Sequence, residues 1–71
     1  MARLDFVIRY HMMYEDAALA LARRLFARFD EAIESLVLMP VTEDEFSLSL
    51  NGTLVHSQRQ SGTAPRVLNV N

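Results

Sequence analysis

The spacing of the apolar residues changes twice in the first forty positions, and this change constrains the fold more than any other feature. Leu, Phe, Ile and Tyr occupy every second position from 4 to 10, as in a strand with one buried face. Residues 15–35 instead follow the period of an amphipathic helix. Residues 36–39 are an uninterrupted apolar run closed by Pro40, which predicts a strand buried on both faces. The order predicts one right-handed βαβ unit.

A hairpin follows an acidic loop at residues 42–45. Apolar residues alternate with serines from 46 to 50, and residues 53–58 form a second extended run. Asn51-Gly52 between them is typical of a type I′ turn, in which both central residues have positive φ. We therefore predict an α+β fold in two layers, with the order β-α-β-β-β, a four-stranded mixed sheet and one main helix. We expect a single domain over residues 1–71, with a C-terminal tail over about residues 60–71.

Charge and composition exclude several classes of function. The 71 residues include nine acids and seven scattered arginines but no lysine, so the basic patch of a nucleic-acid-binding protein is missing. No apolar run approaches the roughly 20 residues that span a bilayer, and the N-terminus has no signal-peptide pattern. We expect a cytoplasmic protein with no nucleic-acid or membrane partner. The chain has no cysteine, so no disulfide can stabilise so small a domain, and a second copy could do so instead.

In order and spacing, these segments resemble the selenoprotein W-like (Rdx) family, whose members have a small thioredoxin-like fold. The resemblance covers most of the chain. It rests on a strand ending in Val-Ile-Arg-Tyr at residues 7–10, an alanine- and leucine-rich helix, a strand ending in Pro40, and a phenylalanine-led hairpin at residues 46–57. Gly62 and Pro65 also lie where members of this family have such residues.

The resemblance implies a Cys-x-x-Cys or Cys-x-x-selenocysteine motif directly after the first strand. The matching segment here is His11-Met12-Met13-Tyr14. Neither an imidazole nor a phenol can form or resolve a mixed disulfide. We therefore expect no catalytic residue, no cofactor and no thiol oxidoreductase activity. The expected role is that of a protein-interaction module, in which residues 11–14 form the partner-binding loop.

Family members usually continue into a C-terminal helix that covers the sheet beside the first helix, and here that helix is expected to be missing or truncated. Part of the apolar sheet face near Phe46, Leu48 and Leu54 would then lack a cover. Large exposed apolar patches usually mark interfaces. These three residues are therefore the interface candidates, and we expect a homodimer or a stable protein partner.

Two chemical alternatives start from His11. With the thioethers of Met12 and Met13 it could ligate Cu(I), which would make the protein a small copper carrier or an enzyme based on this histidine. The competing interpretation is that the methionines fill gaps in an irregular loop, and the spacing of a methionine copper site is absent, so we expect no metal site. A dyad of His11 and His56 would lack a nucleophile. Tyr14 either packs against the start of the helix or forms an aromatic surface with Tyr10.

Overall fold

The computed structural model describes residues 3–57, and this part of the chain is a four-stranded sheet with a helix on one face. Its elements, in chain order, are β1 (Leu4–His11), a 3₁₀ turn (Met12–Tyr14), α1 (Glu15–Phe29), a second 3₁₀ turn (Asp30–Ala32), β2 (Ile33–Val41), β3 (Phe46–Leu50) and β4 (Thr53–Ser57). The strand order is β2-β1-β3-β4, in which β2 runs parallel to β1 and the other neighbours are antiparallel. The predicted α+β class is confirmed. The predicted C-terminal tail and the expected loss of a C-terminal helix lie outside the described residues.

The core lies between α1 and the two central strands, β1 and β3. In the register, Ile8 of β1 stands beside Leu38 on one side and Leu48 on the other, so all three side chains face the helix. The helix meets them with residues spaced three and four apart, which lie on one side of a helix. The buried apolar residues are Phe6, Ile8, Tyr10, Ala18, Leu21, Ala22, Leu25, Phe46 and Leu48.

The prediction that Phe46 and Leu48 lack a cover is wrong, because both are buried in this core. A helix is about 10 Å wide, which matches two strand spacings of about 4.8 Å, so α1 alone can cover β1 and β3. Leu54 differs. It pairs with Ser49, whose side chain points away from α1, and it remains half exposed.

The helix is shorter than its apolar period predicts and ends at Phe29 instead of continuing to residue 35. Asp30 has a positive φ of 44°, which departs from the helical conformation and ends the helix. Ile33 already belongs to β2 and packs against the core. Within residues 3–57, no helix has the length and apolar character needed to cross a bilayer.

The face of the sheet opposite α1, which we call the open face, carries Val7, Val37, Met39, Ser49 and Leu54. Alternate residues of β2 point to this face, so the prediction that β2 is buried on both sides is wrong. The reason is that α1, the one long helix in the described part of the chain, covers only the other face. The buried stripe of α1 is narrow, since Leu19 and Phe26, which flank it, are exposed.

Candidate functional site

The candidate site is the segment at residues 11–14, where β1 ends and α1 begins. His11 is the last residue of β1 and pairs with Val41 of β2. Its backbone N–H donates a hydrogen bond of 2.8 Å to the carbonyl oxygen of Glu45, in the loop between β2 and β3. The start of the segment is therefore fixed between β2 and this loop.

The imidazole of His11 closes the 3₁₀ turn. Its Nδ1 accepts a hydrogen bond of 3.1 Å from the backbone N–H of Met13, so His11 is the N-cap of the turn. An accepting Nδ1 places the proton of the neutral ring on Nε2. One of the two ring nitrogens is thus used inside the segment, and only Nε2 is left for a partner.

Tyr14 fixes the other end of the segment. Its hydroxyl donates a hydrogen bond of 2.6 Å to Oδ1 of Asp44, and its ring stacks on Phe46 with centroids 5.6 Å apart and an interplanar angle of 20°. Of the two interpretations of Tyr14, packing at the start of the helix therefore agrees with the structure. The phenol joins α1 to the β2–β3 loop and to the core.

Met12 and Met13 lie between these two fixed ends and point into solvent. Their exposed fractions are 75% and 63%, so the interpretation that they fill gaps in the fold is wrong. The turn that carries them is held by the β2–β3 loop at both ends and by Phe46 at one. Beside it is an open cleft of about 440 Å³, lined by His11, Met12, Pro40, Val41 and Thr42.

The surroundings of the two methionines are acidic. Glu15 and Asp16 occupy the first turn of α1, where carboxylates interact favourably with the positive end of the helix dipole. Glu43 and Asp44 are exposed in the loop that Tyr14 holds beside the segment. The surface is thus apolar at its centre and negatively charged at its rim.

The structure keeps the two histidines of the alternative dyad apart, while the copper alternative at His11, Met12 and Met13 stays a prediction. Among residues 3–57, no three side chains of His, Cys, Asp or Glu are grouped so as to hold a metal ion. His56 lies on β4 opposite Leu48, and β3 separates that strand from β1, so His11 and His56 do not form a dyad.

Two parts of the site were not predicted from the sequence: the bond from Tyr14 to Asp44, and the wall formed by residues 40–42. Their signal was present but indirect. Because β2 is parallel to β1, the carboxyl ends of both strands reach the same edge of the sheet, so Pro40 and the acidic loop must lie beside His11.

Comparisons with known proteins agree with this fold. The chain is similar to the crystal structure of a selenoprotein W-related protein from Vibrio cholerae, with a TM-score of 0.86 and 24% identity over 96% of this chain and 88% of that one. It is similar to a protein from Bordetella parapertussis, with a TM-score of 0.85 and 20% identity over 94% and 87% of the two chains. The predicted thioredoxin-like arrangement is thereby confirmed.

No curated protein matches the chain. The model of the Rdx family matches residues 10–70, a range that includes the whole segment after β1. The match covers far more than half of the sequence, and the fold agrees with it. The chain therefore belongs to the Rdx family.

Proposed function

We propose that this Rdx family protein is a non-catalytic interaction module that binds a partner protein around residues 11–14. The observation that carries the proposal is the exposure of Met12 and Met13 on a segment held at both ends. Methionine is a flexible, polarizable side chain that adapts to apolar partner surfaces. A backbone that is already fixed loses little conformational entropy on binding, which favours affinity.

The absence of thiol chemistry is part of the proposal. The sequence contains no cysteine. The residues at the two positions that match the redox motif, His11 and Tyr14, hold the segment in place with their side chains. We also propose a cytoplasmic location, because small secreted domains usually depend on disulfides that this chain cannot form.

The acidic rim favours a partner with basic residues. A protein with an apolar patch surrounded by arginines or lysines would match the two methionines and the carboxylates at Glu15, Asp16, Glu43 and Asp44. Exposed charge pairs mainly raise the association rate and are screened by salt. We expect the association rate to fall as the salt concentration rises, while dissociation changes less.

A disulfide-reductase assay tests the loss of redox activity. The wild-type chain should not reduce insulin, whereas a double variant with His11→Cys and Tyr14→Cys should gain measurable activity if these positions correspond to the redox pair. The matched control replaces both residues by serine, which changes the packing equally but supplies no thiol. Turnover by the wild-type chain, or equal results for the two variants, would contradict the proposal.

Binding is tested with a partner that co-purifies with the full chain and is then prepared in isolation. The double variant with Met12→Lys and Met13→Lys should weaken its binding at least about tenfold, which is about 1.4 kcal/mol. The control is a second apolar-to-lysine pair on α1, at Leu19 and Phe26, which are 45% and 51% exposed. Equal weakening by both pairs would exclude residues 11–14 as the binding surface.

A further inference from the structure

The outer edge of β2 differs from the other edge of the sheet. β2 is nine residues long and stands at one end of the strand order, and no strand of the described part of the chain pairs with its outer side. β4, at the other end, has five residues, most of them polar. Exposed edges are usually kept short or charged, because unpaired backbone groups recruit another strand. β4 follows this rule and β2 does not.

The side chains of β2 also make its edge less protected than that of β4. Residues 35–41 carry no charge, and Glu34 is the only charged residue of the strand. Val37 and Met39 are 42% and 44% exposed on the open face. Pro40 lacks a backbone donor and can block pairing, but it stands next to the end of the strand and leaves the centre unprotected.

We propose that β2 is a self-association edge, which pairs antiparallel with β2 of a second copy of this chain about a two-fold axis at Val37. The pairing joins the two sheets into one continuous sheet of eight strands over the described residues. Both α1 helices then lie on the same side. A two-fold axis makes the same surface serve both partners, as in most small homodimers.

The sequence of β2 matches its own antiparallel copy. In this register Val37 faces itself, Leu36 faces Leu38 on the helix side, and Ser35 faces Met39 on the open face. Glu34 is the extra residue at an irregularity of β2, and in this register it stands nearest Pro40 of the other copy, so no like charges oppose each other, which would be destabilising in a cross-strand pair. The pairing covers Leu36 and Leu38, which are only partly buried in the single chain.

A second copy also suits the size of the domain. A chain of 71 residues without cysteine is close to the limit at which one core suffices, and oligomerisation is one of the usual remedies. An unrelated extended peptide could bind the same edge through backbone hydrogen bonds, but it would not supply matched residues at every position. The complementarity of β2 with itself therefore favours the second copy.

Because the chain has no cysteine, single cysteines can map the register in the full-length protein. Paired residues in antiparallel strands have Cα atoms about 4.5 or 5.5 Å apart, and a disulfide spans either distance. Val37→Cys should therefore form a covalent dimer with itself. Met39→Cys should not, because its two copies would stand four residues apart along the strands, at about 14 Å. A mixture of Ser35→Cys and Met39→Cys should form the mixed dimer.

Leu54→Cys is the matched control, since Leu54 is a half-exposed residue of the same open face but on the other edge strand. It should form no covalent dimer under the same oxidation. Sedimentation equilibrium of the unmodified protein should give twice the chain mass, and Val37→Lys should halve that mass, whereas Leu54→Lys should leave it unchanged. A monomeric wild-type protein at millimolar concentration, or equal cross-linking at positions 37, 39 and 54, would overturn the proposal.

This inference does not depend on the proposed function. The double variant with Met12→Lys and Met13→Lys should keep the doubled mass, and Val37→Lys should still bind the isolated partner protein. Loss of both properties in both variants would show that the two surfaces are one, and would overturn the separate role of β2.

Discussion

Leucines on the two faces of the sheet differ in burial. Leu48 and Leu54 belong to one hairpin, yet Leu48 is 0% exposed and Leu54 is 48% exposed. Leu48 pairs with His56 and the next residue, Ser49, pairs with Leu54, so Val55 is an extra residue in β4. This bulge sends Leu54 to the open face and lets Val55 pack against the core. The burial of these two leucines is thus decided by which face the helix covers.

The largest expected effect follows from this pair of leucines. Leu48→Ala should lower the free energy of unfolding by about 2–5 kcal/mol, because it leaves a cavity between α1 and the sheet. Leu54→Ala should cost less than about 1 kcal/mol, since the side chain is half solvated before the change. Urea denaturation of both variants gives the comparison directly. Should Leu48→Ala fail to fold, Ile8→Val offers a milder probe of the same core, at about 1 kcal/mol.

Similar losses for the two leucines would break the comparison. A cost above about 2 kcal/mol for Leu54→Ala would mean that the open face is covered in solution. The proposed pairing through β2 leaves Leu54 on the opposite edge strand, so such a cost would not come from the second copy.

The strands and the helix were predictable from local sequence periods, whereas the residues of the sheet that the helix covers were not. Alternation, helical spacing and Asn51-Gly52 define the elements within about three residues of their observed bounds, except that α1 ends six residues earlier than predicted. The burial of Phe46 and Leu48, and the exposure of the open-face residues of β2, depend on how wide one helix is relative to the strands beneath it. That is a property of packing, which no local pattern contains.

The candidate site was also predictable only in part. Its position after β1 follows from the sequence order, and the family resemblance marks residues 11–14. The exposure of Met12 and Met13 does not follow, because it depends on the anchoring of Tyr14 by Asp44 and Phe46, residues thirty or more positions away. Contacts at that separation arise only when β2 and β3 are placed beside β1.

The second prediction concerns this anchor, which lies at the end of the covered face. Tyr14→Ala removes the ring that stacks on Phe46 together with the hydroxyl bonded to Asp44, and should cost about 2–3 kcal/mol. Tyr14→Phe keeps the ring and should cost about 1 kcal/mol, the usual worth of one hydrogen bond. Hydrogen exchange of the amides at residues 11–14 should accelerate in both variants, more strongly in the alanine. An unchanged exchange rate in Tyr14→Ala would show that Tyr14 does not hold the segment.

The third prediction tests the turn that positions the two leucines. Gly52 has φ of 83°, and a Cβ atom built there would meet nothing within 4 Å. Gly52→Ala should therefore cost about 1 kcal/mol through backbone strain alone. A D-alanine at position 52, introduced by chemical synthesis, adds the same methyl group without that strain and should restore the lost stability. If both alanines destabilise equally, the cost is steric and the assigned conformation is wrong.

The smallest effect is expected at two surface ion pairs, which differ in exposure. Arg3 and Glu34 are 3.7 Å apart with both side chains more than half exposed, so Glu34→Gln should change the stability by less than about 0.5 kcal/mol. Glu45 is less exposed, lies 3.5 Å from Arg9, and accepts a hydrogen bond of 2.8 Å from the hydroxyl of Ser47. Glu45→Gln keeps an acceptor for Ser47 but loses the charge, and should cost about 1 kcal/mol. Raising the salt concentration should reduce the effect of Glu34→Gln more than that of Glu45→Gln, because screening acts most strongly on exposed charges. A larger effect of salt on Glu45→Gln than on Glu34→Gln would mean that the carboxylate of Glu45 is the better solvated of the two. The loop beside residues 11–14 would then be held by the phenol of Tyr14, without help from the pair of Arg9 and Glu45.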